Sequence, residues 1–265
     1  MDNIYISGTG LWIPPHGITN DELMASYNSY VEKFNTENAK EIAAGSIEEL
    51  SPSSSEFVEK ASGIKHRYVI EKDHALDPNF MKPLIPARDI DELSILAEIG
   101  VMAGKDAMEN ANVTPDDIDA VIVSTANLQR AYPAIAIEIQ NELGIDGYGY
   151  DMMVACSSTT FGISNAMADI AAGKAETILV INPEITSAHN NMKSRESHFI
   201  FGDVCTASVV QKNSLSNNKF KILDTKLKTV FSNNIRNECG FMNHIEDKKY
   251  SEDELLFRQN GRSVF

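Results

Sequence analysis

The chain has 265 residues, enough for one large domain or two of ordinary size. It is 43% hydrophobic and 23% charged, a globular balance with apolar material for a sizeable core. The formal net charge of −15 argues against general nucleic-acid binding, which needs a basic footprint, and against adsorption to an anionic membrane surface.

Asp2 stands where a secretion signal would carry positive charge, and no stretch is long and apolar enough to span a bilayer, so a cytoplasmic protein is expected. Asn3–Ser7 reads as a strand that ends in a turn at Gly8-Thr9-Gly10. Thr19 with Glu22 forms a capping-box signature. The helix that follows should bury Leu23, Met24, Tyr27 and Val31. Asn35–Ser55 is polar and reads as a surface excursion, and Asp73–Pro86 as a second irregular stretch. From Leu93 to Met108 the apolar residues keep helical spacing. The small residues at 97, 100, 104 and 107 predict close packing against a neighbour. Thr114-Pro115 reads as a helix start, Ile118–Ser124 as a buried strand, and Pro133–Leu143 as a helix stopped by Gly144.

Tyr148–Val154 reads as a strand, Cys156 as a turn residue, and Ser157–Ala172 as a helix with Gly173 just past its end. Glu176–Ile181 and Thr206–Val210 read as further strands, and Phe220–Val230 as the start of a new unit. Strands alternating with helices predict an α/β protein with a mixed or mostly parallel sheet. Three widely spaced cysteines form neither a disulfide framework nor a zinc site, and no metal is expected.

Cys156 carries the chemistry. A thiol at the start of a helix meets unpaired N–H groups and the positive end of the dipole, which favour the thiolate. A thiolate attacks a thioester carbonyl and keeps the acyl group. The alternative is a buried cysteine that serves as a small hydrophobe. Ser157 or Ser158 opens the same helix as a simple N-cap in either case.

Val154-Ala-Cys-Ser-Ser-Thr-Thr-Phe-Gly162 resembles the nucleophile segment of the ketoacyl-ACP synthase III family, of the thiolase fold. Ile6–Pro15, Ser62-Gly-Ile-Lys-His-Arg67, Tyr132–Gln140 with Leu143-Gly-Ile145, Phe199-Ile-Phe-Gly-Asp203 and Gln259–Phe265 resemble further family segments in the same order. The resemblance spans nearly the whole chain except the polar insertions near 35–55 and 73–86, which look like those of longer, medium-chain members. It implies a thiolase-like layered α/β fold, with residues 1–215 as the first half and 216–265 as the opening of a second half. It also implies a decarboxylating condensation of an acyl thioester with malonyl-ACP, in fatty acid biosynthesis. Cys156 would accept the acyl group from coenzyme A or acyl carrier protein, with no cofactor.

Further residues follow from the same likeness. Arg195 matches the arginine that stacks on the coenzyme A adenine, and Phe57 stands where the family has a tryptophan on the ring's other side. Tyr132 matches an aromatic that crosses a homodimer interface into the partner's acyl pocket; a core tyrosine is the alternative. The family's catalytic histidine and asparagine lie past its Gly-x-x-Val-Phe segment, where this sequence stops; a truncated chain unable to condense is therefore expected. The six histidines present are read as structural or solvated, Cys205 as packing and Cys239 as a loop residue. Lys65-His66-Arg67 and the Lys226, Lys228 and Arg236 group are the basic candidates for docking an acidic carrier. The alternatives are a related acyltransferase of secondary metabolism and a non-catalytic dimerisation module.

Overall fold

The structure is a computed structural model that describes residues 3–213, 216, 219–238 and 240–260. In chain order the strands and helices are β1 (Ile4–Trp12), β2 (His16–Thr19), α1 (Asn20–Glu37), α2 (Ala39–Ala43), α3 (Ser55–Ser62), β3 (His66–Val69) and α4 (Asp73–Leu76). There follow α5 (Ile95–Ala111), β4 (Ala120–Thr125), α6 (Ile135–Leu143), β5 (Tyr148–Met153), α7 (Ser158–Ala171) and β6 (Thr177–Glu184). The last are β7 (Val204–Lys212), β8 (Phe220–Lys221), β9 (Ile235–Arg236), α8 (Glu252–Leu255) and β10 (Arg258–Gln259). They form two compact units: Met1–Ile13, Ala87–Ile185 and Val204–Thr229 build the first, and Pro14–Pro86, Thr186–Asp203 and Val230–Phe265 the second.

The first unit is a six-stranded sheet in the order β5-β4-β6-β7-β1-β8. β4 runs parallel to β5 and β6, and β7 is antiparallel to β6 and β1. All six residues of β4 are buried, an apolar run Ala120–Val123 covered on both faces followed by Ser124 and Thr125. Val121, Val123, Leu179 and Ile181 pack with α5 and α6 on one face. Ile122, Ile178 and Val180 pack with Ala166 and Ile170 of α7 on the other.

Gly8 and Gly10 do not make the expected turn; β1 runs through both to Trp12. Close approach, not chain reversal, selects them. A Cβ on Gly10 would stand 2.0 Å from the Ala103 carbonyl oxygen, and one on Gly8 2.4 Å from that of Ala107. The small residues of α5 therefore meet β1 backbone to backbone. Gly100 instead makes room for an α6 side chain, since its Cβ would lie 2.5 Å from Ile139 Cδ1. Pro115 opens only a single 3₁₀ turn, Pro115–Asp117. The helix expected from Pro133 begins at Ile135, where the Asp151 carboxylate accepts the N–H groups of Ile135 and Ala136, each at 2.8 Å. Phe220 and Lys221, read as beginning a new unit, pair with β1 at the sheet edge.

In the second unit α1 buries Leu23, Met24, Tyr27 and Val31 as expected. The capping box is formed: Glu22 N–H donates to Thr19 Oγ1 at 3.2 Å and Thr19 N–H to Glu22 Oε2 at 2.9 Å. The 35–55 stretch is more ordered than a surface excursion. α1 continues to Glu37, α2 follows, and asparagines on α1 brace the returning chain. Asn28 exchanges two hydrogen bonds with the Ser53 backbone, and Asn35 two with that of Leu50.

His198 is fully buried, stacked on Tyr27 at 4.5 Å between centroids, and its Nδ1–H donates to the Ser194 carbonyl at 2.7 Å. Burial disfavours the imidazolium and, with Arg67 and Arg195 adding positive charge nearby, lowers its pKa to about 4. The unfolded chain takes up this proton near the ordinary value of 6.5, before the folded chain does. His198 therefore stabilises the fold fully above that value, and the contribution fades as pH falls toward 4. The loss is on the order of 3 kcal/mol. Urea unfolding at about pH 7 and about pH 4.5 should show a larger drop for the native protein than for His198→Phe. Parallel drops would refute it.

Candidate functional site

The site forms where β5 gives way to α7. Val154 (φ −137°, ψ 36°) leaves the strand, and Ala155 takes a left-handed conformation at φ +47°. The 3₁₀ turn Ala155–Ser157 then leads directly into α7. Cys156 sits on this turn, solvent-exposed, at the helix N-terminal end. A left-handed residue without glycine is strained and persists only where its surroundings hold it. They do so here. Ser158 Oγ accepts the Val154 N–H and donates to the Thr125 carbonyl, each at 2.9 Å. Ser124 Oγ donates to the Ser158 carbonyl at 2.7 Å. Gly162 lets the helix close on the sheet, since a Cβ there would stand 2.8 Å from Ser124 Oγ. Ser157, at the N-cap position, makes no side-chain cap hydrogen bond, and Ser158 bonds outside the helix, so neither is the simple cap expected.

Tyr132 is 83% exposed, which rules out a core tyrosine. It stands just before α6, whose first N–H groups are held by Asp151, a β5 residue five positions before Cys156. The first unit thus joins the Tyr132 segment to the strand that carries the thiol.

Arg195 and Phe57 meet in the second unit. The guanidinium carbon lies 4.6 Å from the Phe57 ring centroid, and Nε–H donates to the Pro52 carbonyl at 3.0 Å. Phe199 meets the same ring edge-on at 6.1 Å. The pair is exposed, an aromatic face and a planar cation already stacked.

The Phe-Gly-Asp turn is a brace. Asp203 is buried and accepts from Ser187 N–H (2.8 Å), Ser187 Oγ–H (2.7 Å) and Ile70 N–H (2.9 Å). Burial raises its pKa against these hydrogen bonds. Gly202 is needed for close approach: its Cβ would lie 2.9 Å from the Tyr68 carbonyl oxygen.

Cys205 is fully buried in the core between the sheet and α5, and burial together with the nearby Glu184 carboxylate drives its thiol pKa up. Cys239 and the Gly261–Phe265 segment lie outside the described residues. Arg67 leaves the docking candidates. It is buried, its Nη2 donates to Asn20 Oδ1 at 2.6 Å, and burial lowers its pKa to about 10. Lys65 pairs with Glu59 at 2.9 Å, and Arg236 is engaged by Glu238. Among the described residues no three His, Cys, Asp or Glu side chains are grouped to hold a metal ion. No helix among them is long and apolar enough to cross a membrane.

Sequence reading gave Asp151 no role, took Ser158 only as a possible helix cap, and named Asp203 only as part of the Phe-Gly-Asp turn. Asp151 carried a signal, as a lone carboxylate in an otherwise uncharged strand. Ser158 carried no signal for its bracing role, because its acceptor, the Thr125 carbonyl, lies on β4, 33 positions earlier.

A mixed α/β sheet, parallel at β5-β4-β6, that presents an exposed thiol at a strand-to-helix turn fits a thiolase-like fold. A model of the 3-oxoacyl-[acyl-carrier-protein] synthase III family matches residues 150–230. The chain is 52% identical over 244 residues to a beta-ketodecanoyl-[acyl-carrier-protein] synthase of Pseudomonas aeruginosa, covering 91% of this chain and 70% of that protein. It is 30% identical to a beta-ketoacyl-[acyl-carrier-protein] synthase III of Agrobacterium fabrum, covering 69% of this chain and 51% of the relative. The chain thus spans 70% of the first relative and about half of the second.

Among solved structures, 3-oxoacyl-(acyl carrier protein) synthase III of Pseudomonas aeruginosa superposes with a TM-score of 0.70 at 17% identity, covering 99% of this chain and 65% of that one. The Aquifex aeolicus enzyme gives 0.66 at 23% identity, covering 98% and 66%. At these identities the superpositions show the thiolase-like fold alone. The chain belongs to the 3-oxoacyl-[acyl-carrier-protein] synthase III family, acyltransferases that condense acyl groups in fatty acid biosynthesis.

Proposed function

We propose that Cys156 accepts an acyl group from an acyl-coenzyme A or acyl carrier protein thioester, the first half of a reaction in which the acyl group then passes to a malonyl-ACP-derived carbanion. The observation that carries this is the exposed thiol on a strained turn at the head of α7. The Cys156 thiolate adds to the thioester carbonyl, the tetrahedral oxyanion collapses, and the coenzyme A or carrier thiolate leaves. Malonyl-ACP then loses carbon dioxide. The carbanion attacks the acyl-cysteine carbonyl and expels the Cys156 thiolate, giving a β-ketoacyl-ACP. Backbone N–H groups at the turn, that of Cys156 among them, serve as oxyanion donors.

The relative named for a β-ketodecanoyl product supports a medium-chain primer. Decarboxylation leaves two malonyl carbons, so that product requires octanoyl. In this reading Tyr132 reaches a partner's acyl pocket across a two-fold homodimer. Residues 1–215 form the first thiolase-like half and 216–265 open the second. The reaction needs no cofactor and runs in the cytoplasm. The test is formation of β-ketodecanoyl-ACP from octanoyl-CoA and malonyl-ACP; its absence, with Cys156 acylated, limits this chain to the first half-reaction.

Arg195 lies on the Phe57 ring, and an adenine that parts the pair would gain a planar cation on one side and an aromatic face on the other. Stacking is worth about 1–3 kcal/mol per base. Arg195→Ala should therefore raise the coenzyme A Kd about 5- to 150-fold, read by calorimetry, while acylation by octanoyl-ACP is little changed. Equal effects on both donors would refute adenine stacking.

A further inference from the structure

The reading of Cys156 as acyl acceptor leaves open what keeps its turn in shape. Ala155 holds φ +47°, a conformation that a residue with a Cβ rarely adopts. One oxygen atom spans this strained residue. Ser158 Oγ takes the N–H of Val154 on the incoming side and gives its proton to the Thr125 carbonyl of β4. It thus makes one hydrogen bond as acceptor and one as donor, and the residue is 3% exposed. A helix cap would accept an N–H from its own first turn; this hydroxyl accepts one from before the nucleophile.

We propose that Ser158 is a positioning residue for acyl transfer: its hydroxyl pins Val154 to β4, holds Ala155 left-handed, and so aims the Cys156 sulfur and backbone N–H together. The role rests on Cys156 being the acyl acceptor. Acyl transfer and simple alkylation make different demands on the turn. Alkylation by iodoacetamide needs a reachable thiol. Acylation also needs the N–H groups aimed at the oxyanion.

The experiment follows both reactions on the purified protein by time-resolved intact mass, with octanoyl-CoA and with iodoacetamide. Ser158→Ala should slow acylation about 10²-fold, the cost of a misplacement near 1 Å, and leave alkylation little changed. Ser158→Thr and Ser158→Val are nearly isosteric and differ in the hydroxyl, so they decide the question even if the alanine variant folds poorly. Threonine should restore most of the acylation rate and valine should not. Acylation at the native rate in the alanine or valine variant overturns the proposal. So does a parallel fall of acylation, alkylation and melting temperature, which marks the hydroxyl as general support. A native protein that takes no acyl group overturns the reading of Cys156 and this role with it.

Discussion

Cys156→Ala should show no octanoyl adduct after incubation with octanoyl-CoA, while the native protein gains one acyl group that peptide mapping places at residue 156. Removing the nucleophile of a covalent mechanism costs on the order of 10⁶ in rate, well below the detection limit of intact mass. The structure makes the test clean. Among the described residues the other thiol, Cys205, cannot stand in, because it is fully buried and driven further from ionisation, and peptide mapping separates any adduct at Cys239. The helix start, the left-handed Ala155 and the Ser158 hydrogen bonds remain in the variant, so folding should be nearly unchanged and unfolding midpoints should agree. An adduct of equal stoichiometry in Cys156→Ala would end the case for this thiol. Full acylation without β-ketoacyl product would leave the thiol's role intact and confine the chain to loading.

Gly10→Ala should cost more than about 3 kcal/mol, beyond the usual range for an overpacked core, and should leave little folded protein. The added Cβ would lie 2.0 Å from the Ala103 carbonyl oxygen and 2.5 Å from the Ala107 nitrogen. These are backbone atoms of α5 and cannot rotate away. Either β1 and α5 separate, opening the core built from Ala103, Ala107 and Val209, or the helix distorts. Gly240→Ala is the control, since nothing stands within 4 Å of its would-be Cβ. Thermal and urea unfolding would read both variants. A Gly10→Ala protein as stable as the control would show that β1 and α5 do not pack this closely.

Local patterns carried far along the chain. The α5 periodicity, the Thr19 capping box, the stops at Gly144 and Gly173, and the β4 apolar run each depend on neighbours within a few positions. Such features are written in residue order. The glycines of β1 show where this reading failed. Gly8 and Gly10 look like turn residues by type, yet their reason lies on α5, about a hundred positions away. The basic Lys65-His66-Arg67 run misled in the same way, because Arg67 turns inward to Asn20 and the Ile18 carbonyl.

The sequence by itself determined the α/β class, the place of the thiol between a strand and a helix, and the family likeness borne by segments in fixed order. Only the tertiary structure decided that the Cys156 turn is strained and held, that Arg195 lies on Phe57, and that Asp151 ties the Tyr132 helix to the nucleophile strand. The physical reason is range. Helix and strand signals arise from neighbours along the chain. A hydroxyl pinning the nucleophile turn to β4, a guanidinium stacked on a ring 138 positions away, or a carboxylate capping a preceding helix exists only once folding has brought distant residues within hydrogen-bonding or van der Waals reach.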